Sequence, residues 1–105
     1  MPSCFSTCRA NVFVSALRIE FHIPLVHSLK EKRAVVRPIV EGLRHRFHVS
    51  VAEVEFHDLW QRGAIGIAAV SSDVGHLREV LDKCERFVES FPEIDIIGVE
   101  QHWLD

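Results

Sequence analysis

The stretch AIGIAAVS, residues 64–71, decides the fold, because it is a strand-length run that is apolar almost throughout. Strands that face water on one side alternate apolar and polar residues, whereas a strand without a polar face is typical of the interior of a sheet. We therefore predict that residues 64–71 form a central strand, and the flanking sequence supplies the elements around it.

On the C-terminal side of this strand, the spacing changes to that of a helix. Ser72 or Asp73 is suited to cap the helix N-terminus, and Pro92 ends it. Apolar residues recur between them at steps of four and three, forming one buried stripe: Leu77, Leu81, Cys84, Val88 and Phe91. Residues 94–103 then predict a last strand.

On the N-terminal side, residues 58–63 predict a loop and residues 49–57 a strand. In that strand the apolar residues Ala52, Val54 and Phe56 alternate with Glu53, Glu55 and His57, which predicts that the second set faces away from the core.

A second helix is predicted over residues 28–47, where Ser28 and Glu31 have the spacing of a capping box. The apolar stripe of this helix is Val36, Val40, Leu43 and Phe47. Pro38 and Gly42 oppose helix formation, but the long stripe favours one continuous helix. Residues 12–23 precede it and alternate as a first strand.

The order of these elements is βαββαβ, which predicts an α+β, ferredoxin-like fold: a four-stranded antiparallel sheet with two helices on one face. The first and third strands are expected at the centre and the second and fourth at the edges. Residues 1–11 lack periodicity and are interpreted as a mobile N-terminal extension, and residues 12–105 as a single domain.

Charge is distributed unevenly along the chain. Residues 1–50 carry +5 and residues 51–105 carry −8, within a net charge of −3. This asymmetry favours either self-association or a localised anion site, unless the two halves neutralise one another within the fold. Three scattered cysteines do not form a disulfide framework, and no membrane span or secretory signal is evident, so we expect a cytoplasmic protein.

Four motifs resemble one family in particular: SLKEKR (28–33), VSVAEV (49–54), DLWQR (58–62) and VSSD (70–73). In this order and spacing they are similar to the YlxP-like family of small bacterial proteins, a domain of unknown function. The resemblance covers about residues 12–104. It implies a ferredoxin-like fold and genes that often lie near those for translation initiation and ribosome maturation, and it supplies no catalytic residues.

The basic first helix is the leading candidate site. Lys30, Arg33, Arg37 and Arg44 fall on one flank of the helix, and Lys32 joins Lys30 and Arg33 in its first two turns. Cations near a helix N-terminus oppose the helix dipole, so their presence there favours a functional role such as contact with RNA phosphates. The alternatives are a solvated face or ion pairing with acidic residues of a partner subunit.

Trp60 is the second candidate, with Arg62 beside it in the loop. The indole ring could stack on a base with help from Arg62, anchor a subunit interface, or fold back onto the end of the core.

The sheet face without helices is the third candidate, and its predicted residues are Arg18, Glu20, His22, Glu53, Glu55, His57, Glu100 and His102. Cross-strand charge pairs within a sheet-to-sheet dimer are the favoured interpretation, and a metal or ligand site is a weaker alternative.

No nucleophile elbow, phosphate loop or acylphosphatase motif is present, so we predict no catalytic residues, no metal and no cofactor. The expected function is a non-catalytic, homodimeric protein that associates with RNA or the ribosome, with no indication of DNA sequence reading. The alternatives are a protein–protein interaction module and, less favoured, a metal- or ligand-binding regulator.

Overall fold

The computed structural model describes residues 11–104, and the predicted extension, residues 1–11, lies outside this range apart from Asn11. The elements in chain order are β1 (Phe13–His22), α1 (Leu29–Phe47), β2 (Ser50–Glu55), β3 (Arg62–Ser71), α2 (Val74–Glu89) and β4 (Asp95–Trp103). The predicted βαββαβ order and the α+β, ferredoxin-like class are confirmed. In this part of the chain, no helix is apolar over a length that would cross a lipid bilayer.

The four strands form one antiparallel sheet in the order β2-β3-β1-β4, so β1 and β3 are central as predicted. Leu17 pairs with Ile67 and Ile19 with Ile65, and all four side chains are buried on the helix-covered face. Alternate residues point to opposite faces of a strand, so Arg18, Glu20, Ala64 and Gly66 lie on the uncovered face.

Helix α1 is a single helix in spite of Pro38, as the apolar stripe predicted. Ser28 caps it by accepting a hydrogen bond from the Glu31 N–H at 3.1 Å. The Glu31 carboxylate reaches back to the N–H of His27 at 2.7 Å rather than to that of Ser28 as a capping box would require. Pro38 lies on the exposed side of α1, where water can reach the carbonyl that loses its helical donor.

Gly42 on α1 lies directly against a side chain of α2. A Cβ atom at this position would lie 2.5 Å from Cζ of Phe87 on α2. The Phe87 ring is itself held by edge-to-face contacts with Phe47 and Phe91, at centroid distances of 5.9 and 5.2 Å. The glycine that weakens α1 locally is therefore what allows the second helix to pack against it.

Strand β2 differs from its predicted orientation. Val51 is buried and Ala52 exposed, and the pairing of Val51 with Ile67 and Glu53 with Ile65 puts both residues on the helix-covered face. A β-bulge between Glu53 and Glu55 then returns Glu55 to the uncovered face, beside Val54. The prediction that Glu53 faces away from the helices is therefore wrong, because a bulge breaks the strict alternation on which it rested.

Candidate functional site

Lys32 lies inside the molecule rather than on its surface. It precedes Val36, Ile39 and Leu43 at helical spacing on the core face of α1, and its side chain is only 3% exposed. The ammonium Nζ donates to the Phe56 carbonyl at 2.7 Å and lies 3.0 Å from Oε2 of Glu53. That carboxylate oxygen is shielded from water and has no aligned hydrogen-bond donor, so the contact is ionic in character. Lys32 is therefore a structural residue, and its prediction as an RNA ligand is wrong.

The loop between β2 and β3, residues 56–61, begins at Phe56 with a left-handed backbone (φ 63°). Such a conformation is unfavourable for a large side chain and persists only where neighbours hold it. The Phe56 carbonyl accepts from Lys32 and from the Leu59 N–H at 3.1 Å, and the Arg62 guanidinium lies 4.2 Å from the Phe56 ring centre. These contacts fix the start of the loop.

Arg62 is also committed to a carboxylate. Its Nε donates to Oε2 of Glu20 at 2.7 Å, and its Nη2 contacts the same oxygen. Because the guanidinium is held between Glu20 and the Phe56 ring, Arg62 contributes to the fold of the loop, and its role beside Trp60 in RNA binding stays a prediction.

Cross-strand charge pairs do occupy the uncovered face, as predicted. Arg18 extends across Gly66, which has no side chain, to contact Glu55 on β2, and it also donates to Glu20 at 3.2 Å. Ala64 is completely buried beneath this network. Hydrogen bonds from Arg62 and then Arg18 hold the pKa of Glu20 below its ordinary value against the opposing effect of burial, so the network is lost only as the pH falls into the acidic range.

The open edge of β2 is covered by two side chains. Arg44 donates from Nη2 to the Val51 carbonyl at 2.7 Å, and Nε2 of His57 lies 3.1 Å from the Glu53 carbonyl. Alternate carbonyls of an edge strand point away from the sheet, where they could pair with another strand. Arg44, predicted to contact RNA, is thus tied to the β2 edge, and His57 lies at that edge rather than in the charge network.

Three predicted cations remain unengaged within residues 11–104: Lys30, Arg33 and Arg37, which we call the basic stripe. All three side chains are exposed. The other Lys and Arg residues in this range contact a carboxylate, a backbone carbonyl or an aromatic ring: Arg18, Lys32, Arg44, Arg46, Arg62, Arg78, Lys83 and Arg86. Within this range no carboxylate forms an ion pair with the basic stripe, although the exposed Glu41 lines the same surface depression as its three residues.

Trp60 is 49% exposed and is not part of the core, so it does not cap the core. It lines an open cavity of about 600 Å³ together with His22, Asp58, Leu59, Gln61 and Arg62. The Gln61 side chain donates to the carbonyls of Pro24 and Val26, at 3.2 and 3.0 Å, and so fastens this loop to the segment that leads into α1. Trp60 and the N-terminal end of the basic stripe consequently lie at the same end of the molecule.

The residues that the sequence did not single out are Phe56, Asp58 and Gln61, and Glu53 was assigned to the opposite face of the sheet. The position of Lys32 four residues before Val36 was a usable signal, because a cation on a core stripe requires a buried counter-charge. The roles of Phe56 and Gln61 depend on backbone conformation and on the register of β2 and β3, which side-chain spacing does not specify. Within the part of the chain described, no group of three or more His, Cys, Asp or Glu residues could hold a metal ion.

Comparison with known proteins places these features in a family. The family described as "Protein of unknown function (DUF503)" matches residues 14–101. The "Uncharacterized protein YlxP" of Bacillus subtilis (strain 168) is 42% identical over 77 residues, covering 73% of this chain and 84% of that protein. Among solved structures, "De novo designed protein Foldit4" aligns with a TM-score of 0.51 over 87% of this chain and 96% of the designed one, at 14% identity. The latter likeness concerns the fold alone.

Proposed function

Since this chain belongs to the DUF503 family, whose description assigns no activity, we propose a function from its own surface: it is a non-catalytic protein that binds RNA phosphates through the basic stripe. The observation that carries the proposal is that Lys30, Arg33 and Arg37 are the cations left without a partner within residues 11–104. They share one helix flank, whereas each of the other cations in that range contacts a carboxylate, a backbone carbonyl or an aromatic ring.

The position of the stripe favours phosphate as its ligand. Lys30 and Arg33 lie in the first turns of α1, where the helix dipole is positive and added cations lower stability by a few tenths of a kcal/mol each. The same arrangement attracts anions. Lys30 to Arg37 spans about 10 Å along the helix axis, which is long enough to contact more than one phosphate of a strand.

Recognition of RNA bases by the uncovered face of the sheet is a weaker alternative. RNA-recognition domains of this architecture stack bases on aromatic residues of the uncovered face. Here that face carries the Arg18–Glu55 network at one end and small apolar residues at the other. Binding through phosphates on α1 therefore fits this surface better. The gene neighbourhood implied by the family resemblance favours ribosomal RNA as the natural partner, and the proposal includes a cytoplasmic location.

The test is the salt dependence of RNA binding, measured by fluorescence anisotropy with a labelled 20-nucleotide single strand. Each phosphate contact contributes about 0.7 to the slope of log affinity against log salt for a single strand, so replacing Lys30, Arg33 and Arg37 together with Gln is expected to reduce that slope by about 2. The matched control replaces Lys83 and Arg86, which pair with carboxylates on α2, and is expected to leave the slope unchanged. An unchanged slope in the stripe variant, or no binding by the parent at low salt, would contradict the proposal.

We also propose self-association through the uncovered sheet face, because the two central strands are apolar at one end of that face, between Ser50 on β2 and His102 on β4. Val70 is 66% exposed opposite Val14, and Ala16 pairs with Ala68 beside them. Such a patch is typical of an interface.

Sedimentation of the parent protein at tens of micromolar is expected to give a dimer, and the Val70→Glu variant is expected to be a monomer. The control variant Leu25→Glu, which changes an exposed apolar position away from the sheet, is expected to stay dimeric. A parent protein that sediments as a monomer would rule this out.

A further inference from the structure

We propose that the cavity around Trp60 receives an unstacked base, so that the protein prefers single-stranded RNA to duplex RNA and prefers guanine at this position. The inference rests on the proposed function, since it names the class of RNA that the same end of the molecule would bind. It adds a second contact, to a base, beside the phosphate contacts of the basic stripe.

The walls of the cavity combine stacking surface with hydrogen-bonding groups. Trp60 and Leu59 supply exposed apolar area, and Asp58, Gln61 and His22 supply polar atoms around it. The cavity has a volume of about 600 Å³ and is open to solvent. Single-stranded RNA is recognised by bases splayed onto aromatic rings while their edges are read by polar side chains, and duplex bases are not accessible in this way.

This mixture distinguishes a base from a protein partner. The centres of protein interfaces are depleted of charged residues, and polar groups concentrate at their rims. The Trp60 cavity, by contrast, is lined by Asp58 and His22 as well as by the apolar Trp60 and Leu59. The Arg62 guanidinium is held by Glu20 and therefore forms a fixed wall rather than a mobile ligand.

The loop that carries Trp60 is held in place before any ligand arrives. Lys32 and Arg62 fix Phe56 at its start, and Gln61 fixes its end to the carbonyls of Pro24 and Val26. Ile23 also donates its N–H to the Gln61 carbonyl at 2.8 Å. A rigid loop that leaves a tryptophan half-exposed reduces the ordering cost of stacking.

The Trp60 cavity lies near the basic stripe, whose positive charge complements the phosphates of an RNA strand. The segment held by Gln61 leads directly into the cap at Ser28 and then to Lys30. Lys30 and the Trp60 cavity therefore lie at the same end of the molecule, so that a strand whose phosphates contact the basic stripe can place one unstacked base in the cavity.

Asp58 determines the expected base. A carboxylate only accepts hydrogen bonds, and two adjacent N–H donors satisfy it best. Guanine presents such a pair on its Watson–Crick edge, whereas uracil presents one donor between two acceptors. The Gln61 amide nitrogen is already committed to backbone carbonyls, which leaves its oxygen as a further acceptor.

The experiment uses the full chain with Trp103→Phe, so that Trp60 is the remaining tryptophan and reports on its own site. The probes are U8, the strand UUUUGUUU and a 12-base-pair RNA duplex. We expect UUUUGUUU to quench Trp60 fluorescence and to bind about tenfold more tightly than U8, and the duplex to cause no quenching. Asp58→Asn is expected to make U8 and UUUUGUUU bind equally.

In the Trp103→Phe background, Trp60→Ala is expected to weaken single-strand binding about tenfold by anisotropy, with Trp60→Phe closer to the parent and duplex affinity unchanged. Thermal unfolding checks that both variants fold. If the stripe variant weakens binding but Trp60→Ala does not, or if U8 and UUUUGUUU bind the parent equally, the cavity proposal is wrong and the proposed function stands. If neither variant weakens binding, both fail. If Trp60→Ala changes the sedimentation coefficient and not RNA affinity, the cavity is a protein contact and the proposal is overturned.

Discussion

Replacing Lys32 with Met is expected to lower the free energy of unfolding by about 2–4 kcal/mol, as expected when one partner of a buried ion pair is removed. Oε2 of Glu53 would be left buried without its counter-charge, and the Phe56 carbonyl would lose its side-chain donor. Because that donor also holds the left-handed Phe56 in place, the loss should extend to the loop. Urea denaturation followed by circular dichroism measures the change.

The matched control is Lys30→Met, which removes the same charge from the same helix at an exposed position and should change stability by less than about 0.5 kcal/mol. Adding Glu53→Leu to Lys32→Met should recover about half of the loss, because an apolar pair avoids the unpaired carboxylate. Equal stabilities of the Lys32→Met and Lys30→Met variants would contradict the structural role assigned to Lys32.

Gly63→Ala is expected to destabilise the protein by about 1–3 kcal/mol, as overpacking in a core does. A Cβ at position 63 would lie 2.8 Å from both Cε1 and Cζ of Phe21 and 3.5 Å from Cε of Lys32. The Phe21 ring is completely buried on a central strand, so a shift of the ring must displace its neighbours in the core. Chemical denaturation of the Ala variant measures the loss.

Gly98→Ala provides the comparison, since a Cβ on this edge-strand glycine meets no atom within 4 Å. We expect this variant to be as stable as the parent or slightly more stable, because alanine restricts the unfolded chain more than glycine does. A Gly63→Ala variant as stable as Gly98→Ala would show that Phe21 can be displaced at little cost.

The fold followed from periodicity because each element buries a long and regular stripe. The uninterrupted apolar run at residues 64–71 identified the central strand, and the stripe of α1 outweighed Pro38. The same method assigned Glu53 to the wrong face, since a single-residue bulge reverses the faces of a strand partway along its length.

The candidate site was predicted only in part. Lys30, Arg33 and Arg37 lie on the exposed flank where helical spacing put them. The other three predicted cations are engaged by groups that the sequence does not pair with them. Lys32 contacts the Glu53 carboxylate and the Phe56 carbonyl. Arg44 donates to a backbone carbonyl of β2, and Arg62 pairs with Glu20. Charge along a sequence gives the sign of a surface, and the pairing of strands determines which charges remain available.

The side chains of Arg44 and His57 on the carbonyls of β2 have a consequence for behaviour at high concentration. A strand from a neighbouring molecule could pair with β2 through main-chain hydrogen bonds, which is how fibrils begin to form. Such pairing would first have to displace the Arg44 and His57 side chains from the β2 carbonyls. Fibre growth from the folded protein is thus disfavoured at β2. Two side-chain hydrogen bonds cover this edge at high protein concentration, without a further helix or strand.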